Sequence, residues 1–231
     1  MSAAADPGAP AADKRYVERR DEEGRVIERA EFRGGLLDGT TAVFAPNGLV
    51  LQEMNFADGQ PDGPMLVHDA NGQLLARLTW LAGALDGPAA IYNDGRILAE
   101  MAYSRGMLDG EMRRYSEAGT LVSTGSYRDG RLNGAMTLFR PDGSVLRKMN
   151  YTEGLLHGEA TDHDERGVVR TRTELRAGRR DGPMIGYDAD ENPISRTMFS
   201  ADRQVGEKQL LHGAAPTPAM PWFQSLRRRV R

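Results

Sequence analysis

Residues 130–151 read Gly130-Arg131-Leu132-Asn133-Gly134-Ala135-Met136-Thr137-Leu138-Phe139-Arg140-Pro141-Asp142-Gly143-Ser144-Val145-Leu146-Arg147-Lys148-Met149-Asn150-Tyr151. The marks in this stretch are a turn-former before glycine (Asn133-Gly134), an Asp-Gly turn (Asp142-Gly143), and rings at Phe139 and Tyr151. Moving outward in steps of 24 residues finds the same marks again. The ring of Tyr151 recurs as Phe32, Phe56, Trp80, Tyr103, Tyr127, Leu175 and Phe199, with one step of 23 at the unit that contains Asn93. Gly134 recurs as Gly39, Gly63, Gly87, Gly110, Gly158, Gly182 and Gly206, and Gly143 as Gly48, Gly72, Gly95, Gly119 and Gly167. Three columns that keep step this often define an internal repeat, and a repeat decides the fold before any single residue does.

Each unit parses as strand, turn, strand. Five residues after the first glycine comes a second ring or its substitute (Phe44, His68, Tyr92, Tyr115, Phe139, His163, Tyr187), and the turn glycine follows it. Positions two, six and eight after the turn glycine are apolar, as in Val145, Met149 and Tyr151, whereas the fifth is polar: Glu53, Arg77, Glu100, Thr124, Lys148, Arg172. Side chains alternate across a strand, so this period of two predicts a sheet with one face buried and one wet. Linking segments such as Gly106-Met107-Leu108-Asp109-Gly110 place glycine where the backbone needs positive φ, and their Leu (Leu37, Leu85, Leu108, Leu132, Leu156) folds onto the apolar face. The aspartates before the glycines cap their own turns. A lone hairpin is marginal in water, so each must stack on the next, with atypical units at the ends. The charged strand around Tyr16–Arg20 and the irregular last unit, with Asp202, Val205 and Lys208, fit that expectation.

Composition narrows the chemistry. Among 231 residues there are 27 Gly and 12 Pro, too many breakers for a helical protein, and no Cys, which removes disulfides, thiolate zinc sites and cysteine nucleophiles. No apolar run is long enough for a membrane helix. The net charge of −3 gives no overall attraction to nucleic acid. Residues 214–231 nevertheless hold Arg227, Arg228, Arg229 and Arg231 and no acid. Met1–Asp13 lacks the parts of a secretory signal and reads as a disordered leader, so the expected compartment is the cytoplasm.

His157, Asp162, His163 and Asp164 lie close enough in sequence to suggest a metal site. His163 and His68 fall in the ring column, however, and His157 replaces a turn Asp, so substitution within the repeat accounts for them. No nucleophile elbow, P-loop or dinucleotide fingerprint occurs, and no cofactor or metal is expected. In the tail, Trp222, Phe223, Leu226 and Val230 fall along one side of a short helix. They suit a cap over the last hairpin, or a weak membrane or partner anchor.

The unit G-x-L-[DN]-G-x4-[YF]-x3-G-x-[LV]-x5-[YF], seen from Gly130 to Tyr151, resembles the variant MORN (membrane occupation and recognition nexus) repeat over roughly residues 24 to 212. It also resembles bacterial repeat proteins labelled as YwqK-type antitoxins. The resemblance implies a binding or scaffolding repeat and, through that label, an antitoxin or immunity protein without catalysis.

The expected fold is all-β: an elongated, solenoid-like array of about eight 24-residue hairpins forming one continuous antiparallel sheet. Its expected organisation is a leader at 1–13, the repeat domain at 14–213, and a Pro-rich linker with a basic amphipathic tail at 214–231. The expected function is a non-enzymatic, cytoplasmic module that neutralises a protein partner by direct binding; the alternative is a scaffold at the inner membrane face. Candidate partner-binding residues are Arg77, Glu100, Arg113, Arg114, Arg128, Lys148 and Arg172, read as one charged strip, with Trp222 and Phe223 in the tail.

Overall fold

The computed structural model describes residues 13–211. Residues 1–12 of the leader, and the tail with its Trp222 and Phe223, lie outside the described residues. Every regular element is a strand. The first six are β1 (Lys14–Arg20), β2 (Val26–Arg33), β3 (Leu36–Phe44), β4 (Val50–Ala57), β5 (Gln60–His68) and β6 (Leu74–Leu81). Next come β7 (Ala84–Leu85), β8 (Gly87–Asn93), β9 (Arg96–Ser104), β10 (Met107–Leu108), β11 (Gly110–Tyr115), β12 (Leu121–Arg128) and β13 (Arg131–Phe139). The array ends with β14 (Val145–Thr152), β15 (Leu155–Leu156), β16 (Gly158–His163), β17 (Val169–Arg176), β18 (Arg179–Tyr187), β19 (Pro193–Ser200) and β20 (Arg203–Leu210). All twenty belong to one open, antiparallel sheet in which each strand pairs with its neighbours in sequence.

Three of the twenty are two-residue pieces. β7, β10 and β15 are the leading ends of β8, β11 and β16, cut off at Asp86, Asp109 and His157, whose N–H groups donate instead to Thr79, Ala102 and Asn150 carbonyls. The segments read from sequence as links are therefore the first third of each long strand. At its bend sits the first glycine column. Gly134, at φ 113°, lies inside β13 opposite Tyr151 of β14, and the register with β12 slips beside it, between Gly125 and Tyr127. Only glycine adopts such a φ freely, and the two extra residues turn the strand without breaking the sheet.

The two edges use different turns. On one, residue pairs such as Asp129-Gly130 (φ 48° and 77°) make two-residue hairpins with positive φ at both positions, the geometry that matches strand twist. The other carries wider turns in which a side chain organises the loop: the Asp69 carboxylate accepts the N–H groups of Asn71 (2.9 Å) and Gln73 (2.8 Å). The unit that is one residue short replaces its wide turn with Asp94-Gly95, so that Asn93 pairs directly with Arg96.

Asp62 and Asp86, which precede glycines of the first column in Pro61-Asp62-Gly63 and Leu85-Asp86-Gly87, do not cap their own turns. Asp62 accepts the N–H of Ala82 (3.2 Å) and Asp86 that of Arg105 (3.0 Å), in each case on the tight turn of the following unit. Ala82 and Arg105 sit at positive φ, which disfavours L-residues, and an ionised acceptor on their N–H groups offsets that cost. Backbone bonds from Gly83 to Pro61 and from Gly130 to Leu108, both 2.8 Å, stitch the same edge.

Burial is shallow throughout. Among the described residues the only buried ones are Ala30, Ala45, Met54, Ala89, Ser123, Gly125, Met149 and Thr197, and no large side chain is fully enclosed. The expectation of one buried and one wet face is corrected accordingly. Phe32, Phe56, Trp80, Tyr103, Tyr127, Tyr151, Leu175 and Phe199 are all half-buried in a row on one face, with Leu37, Leu85, Leu132 and Leu156 beside them. The second ring column, Phe44 to Tyr187, lies on the opposite face. The alternation does put most apolar side chains together, but a single layer offers nothing to cover them.

Candidate protein-binding face

One register column crosses the middle of the second face from end to end. It begins Glu18, Arg29, Ala42, Glu53, Leu66, Arg77, Ala90, Glu100, with each residue directly opposite the next. It continues through Arg113, Thr124, Thr137, Lys148, Thr161, Arg172, Ile185, Arg196 and Gln209. The structure thus aligns five of the residues picked from sequence: Arg77, Glu100, Arg113, Lys148 and Arg172.

The other two are elsewhere. Arg114 follows Arg113 in β11 and therefore points to the opposite face, level with Ser123. Arg128 shares the face of the column but sits at the tight-turn edge, opposite Arg131. Arg29 and Arg196 belong to the column and were missed. Their signal was present, since each lies 24 residues from a column member, Glu53 and Arg172; Arg29 follows the turn glycine Gly24 by the same five residues, whereas Glu191 stands in that place before Arg196.

The column's charges differ along its length. In its first half acids and bases alternate. From Arg113 to Gln209 it contains four cations and no acid. Arg113 pairs with Glu111 (2.8 Å) and Arg172 with Glu159 (3.3 Å), both in solvent, where such pairs contribute at most about 1 kcal/mol. Lys148 and Arg196 have no ion-pair partner among the described residues.

The second ring column runs parallel to the cations, one position nearer the wide turns. Arg29 lies over Phe44 (5.6 Å to the ring centre) and Arg172 over Tyr187 (5.8 Å), distances at which a cation is drawn to the ring. The Tyr115 hydroxyl donates to Glu100 (2.7 Å), which with partial burial raises its pKa. Burial and the nearby Lys148 ammonium lower the pKa of His163, favouring neutral imidazole.

The residues that suggested a metal site are dispersed. Asp162 faces the other side of the sheet, pairing with the Arg147 guanidinium and accepting from the Thr171 hydroxyl (2.7 Å). Burial pushes its carboxyl up, but those two hydrogen bonds prevail and hold it below the usual carboxylate range. Asp164 organises a wide turn and accepts the N–H groups of Arg166 and Val168, both at 2.9 Å. Among the described residues no group of three or more potential ligands converges.

The other face has its own row. Its ring column passes Tyr103 and Tyr151, whose hydroxyls lie 3.6 and 4.0 Å from the sulfurs of Met101 and Met149. Arg180 stacks over Phe199, 4.1 Å from the ring centre. Nearer the wide turns, the row on that face is mostly apolar from Val43 to Ala99 and more polar from Arg114 onward, where the Arg147–Asp162 pair sits.

Comparison with known proteins places one unit. The family described as MORN repeat variant matches residues 108–129, the strand β10–β11, the wide turn and β12. No curated protein matches. Among solved structures, the crystal structure of the GtfA/B complex bound to UDP and GlcNAc is 18% identical over 50% of this chain and 22% of that one, with a TM-score of 0.23. The crystal structure of TcdB2-TccC3-Cdc42 is 12% identical over 79% of this chain and 13% of that one, with a TM-score of 0.17. The chain thus spans less than a quarter of either. Residues 108–129, a hairpin whose columns recur along the chain, match the variant MORN repeat, which suggests a repeat protein-binding module.

Proposed function

We propose that this chain acts in the cytoplasm as an antitoxin or immunity protein, neutralising a partner protein by direct binding along its charged face. The observation that carries this reading is the unbroken central column, which presents Arg77, Glu100, Arg113, Lys148 and Arg172 in line on an exposed, single-layer sheet. The reading involves no catalytic step. Its support is that the Asp69, Asp164 and Asp188 carboxylates organise wide turns and Asp162 is held in a cross-strand pair with Arg147.

The test is co-expression of the full chain with the product of the adjacent reading frame. Growth arrest by that product, relieved by this chain together with a purified complex, is the expected result. Arrest without relief or complex overturns the antitoxin role. In the complex, Arg77→Glu with Arg113→Glu is expected to slow association roughly tenfold at low salt, because complementary charge governs encounter. Arg114→Glu, on the opposite face, is expected to leave it unchanged. The scaffold alternative rests on residues 214–231, outside the described residues, and liposome sedimentation with and without them separates it.

A further inference from the structure

We infer that the second half of the charged face binds an extended acidic segment with a carboxylate at every third residue, held in the polyproline II conformation. This rests on the reading of the sheet as a protein-binding module, and specifies what part of a partner it grips. Lys148, Arg172 and Arg196 occupy one column on every second strand, separated by the uncharged Thr161 and Ile185. Two strand spacings come to about 9.6 Å. Three residues of polyproline II advance about 9.3 Å and return to the same side, so side chains at i, i+3 and i+6 meet the three cations in turn. A fully extended β-strand presents i and i+3 on opposite sides. An α-helix repeats its facing residue only every seven positions, about 10.5 Å, and falls out of step by roughly 1 Å at each cation.

Two further features fit that occupant. Phe139, His163 and Tyr187 run beside the cations on the same two-strand spacing, and ring-lined grooves are what polyproline II segments dock against. Thr161 places a hydroxyl between Lys148 and Arg172, and Thr137 another on the far side of Lys148. The competing anions are Glu159, 3.3 Å from Arg172, and Glu174, opposite Glu159 on the same face. Both side chains of the Arg172–Glu159 pair are about half exposed (48% and 50%), so the guanidinium exchanges partners at little cost.

The experiment uses the full chain and two labelled peptides of identical composition, one with four Glu-Pro-Pro triplets and one with its four Glu contiguous, followed by fluorescence anisotropy. The triplet peptide is expected to bind about tenfold more tightly, with affinity falling as salt rises. Lys148→Glu with Arg172→Glu is expected to abolish that preference, Lys148→Gln to weaken it, and Arg114→Glu to leave it intact; circular dichroism verifies that each variant is folded. Equal affinity for the two peptides overturns the inference, as does an unaffected double variant. Tighter binding of oligothymidylate than of the triplet peptide also overturns it, in favour of a nucleic-acid ligand. If the double variant still holds its protein partner while neither peptide binds, the inference fails and the proposed function stands.

Discussion

Gly134 and Gly125 carry the same side chain and opposite obligations. Gly134 sits at φ 113°, and a Cβ there would lie 3.2 Å from the Ser126 Cβ. Gly134→Ala is therefore expected to cost about 2 kcal/mol, mostly backbone strain. Gly125 has ordinary strand dihedrals in a position where other units carry Met or Leu, and a Cβ there meets the flexible end of Leu132 at 3.2 Å. Gly125→Ala is expected to change stability by less than about 0.5 kcal/mol. Denaturant titrations of the two variants check the contrast. The first glycine was legible because it recurs with the repeat. That Arg113 and Arg114 fall on opposite faces was equally open to the rule of alternation, which a reading of them as one patch overlooks. The reach of Asp62 to Ala82 was not legible, because it joins residues of successive units and depends on how hairpins stack.

At the scale of the hairpin, stability comes from rows shared with neighbours. Trp80 lies between Gly63 on one strand and Leu85 on the other. Phe199 lies between Gly182 and Gln204, beside a final strand that is exposed along its whole length. Trp80→Ala is expected to cost roughly 2 to 3 kcal/mol, below the ~3–5 kcal/mol of an enclosed ring because Trp80 is only half-buried. Phe199→Ala is expected to cost about half as much, part of it the lost contact with Arg180. Equal losses in parallel unfolding titrations would contradict an array held by adjacent-unit contacts. The strands and both ring columns follow from the 24-residue period. The placement of the second column does not, because a bulge next to each wide turn, such as the slip between Leu138 and Phe139, interrupts the alternation from which a face is inferred.

At the scale of the whole array, seventeen strands of the described residues cross the sheet once the two-residue pieces are joined to their continuations. At ~4.8 Å each they extend for about 77 Å, which corresponds to a radius of gyration of ~22 Å or more, against about 17 Å for a compact chain of this size. Excising residues 131–154 joins Gly130 to Leu155 and restores the same Gly-x-Leu pattern one unit later. The shortened protein is expected to stay folded and to lose ~3 Å of that radius, where a compact globule would lose less than about 1 Å. Small-angle scattering of the two proteins measures the difference.

The pairing of every strand with only its sequence neighbours makes the molecule a calliper graduated in hairpins. Copying or losing a unit alters the span between its jaws by a fixed increment of about 10 Å while leaving each remaining joint as it was.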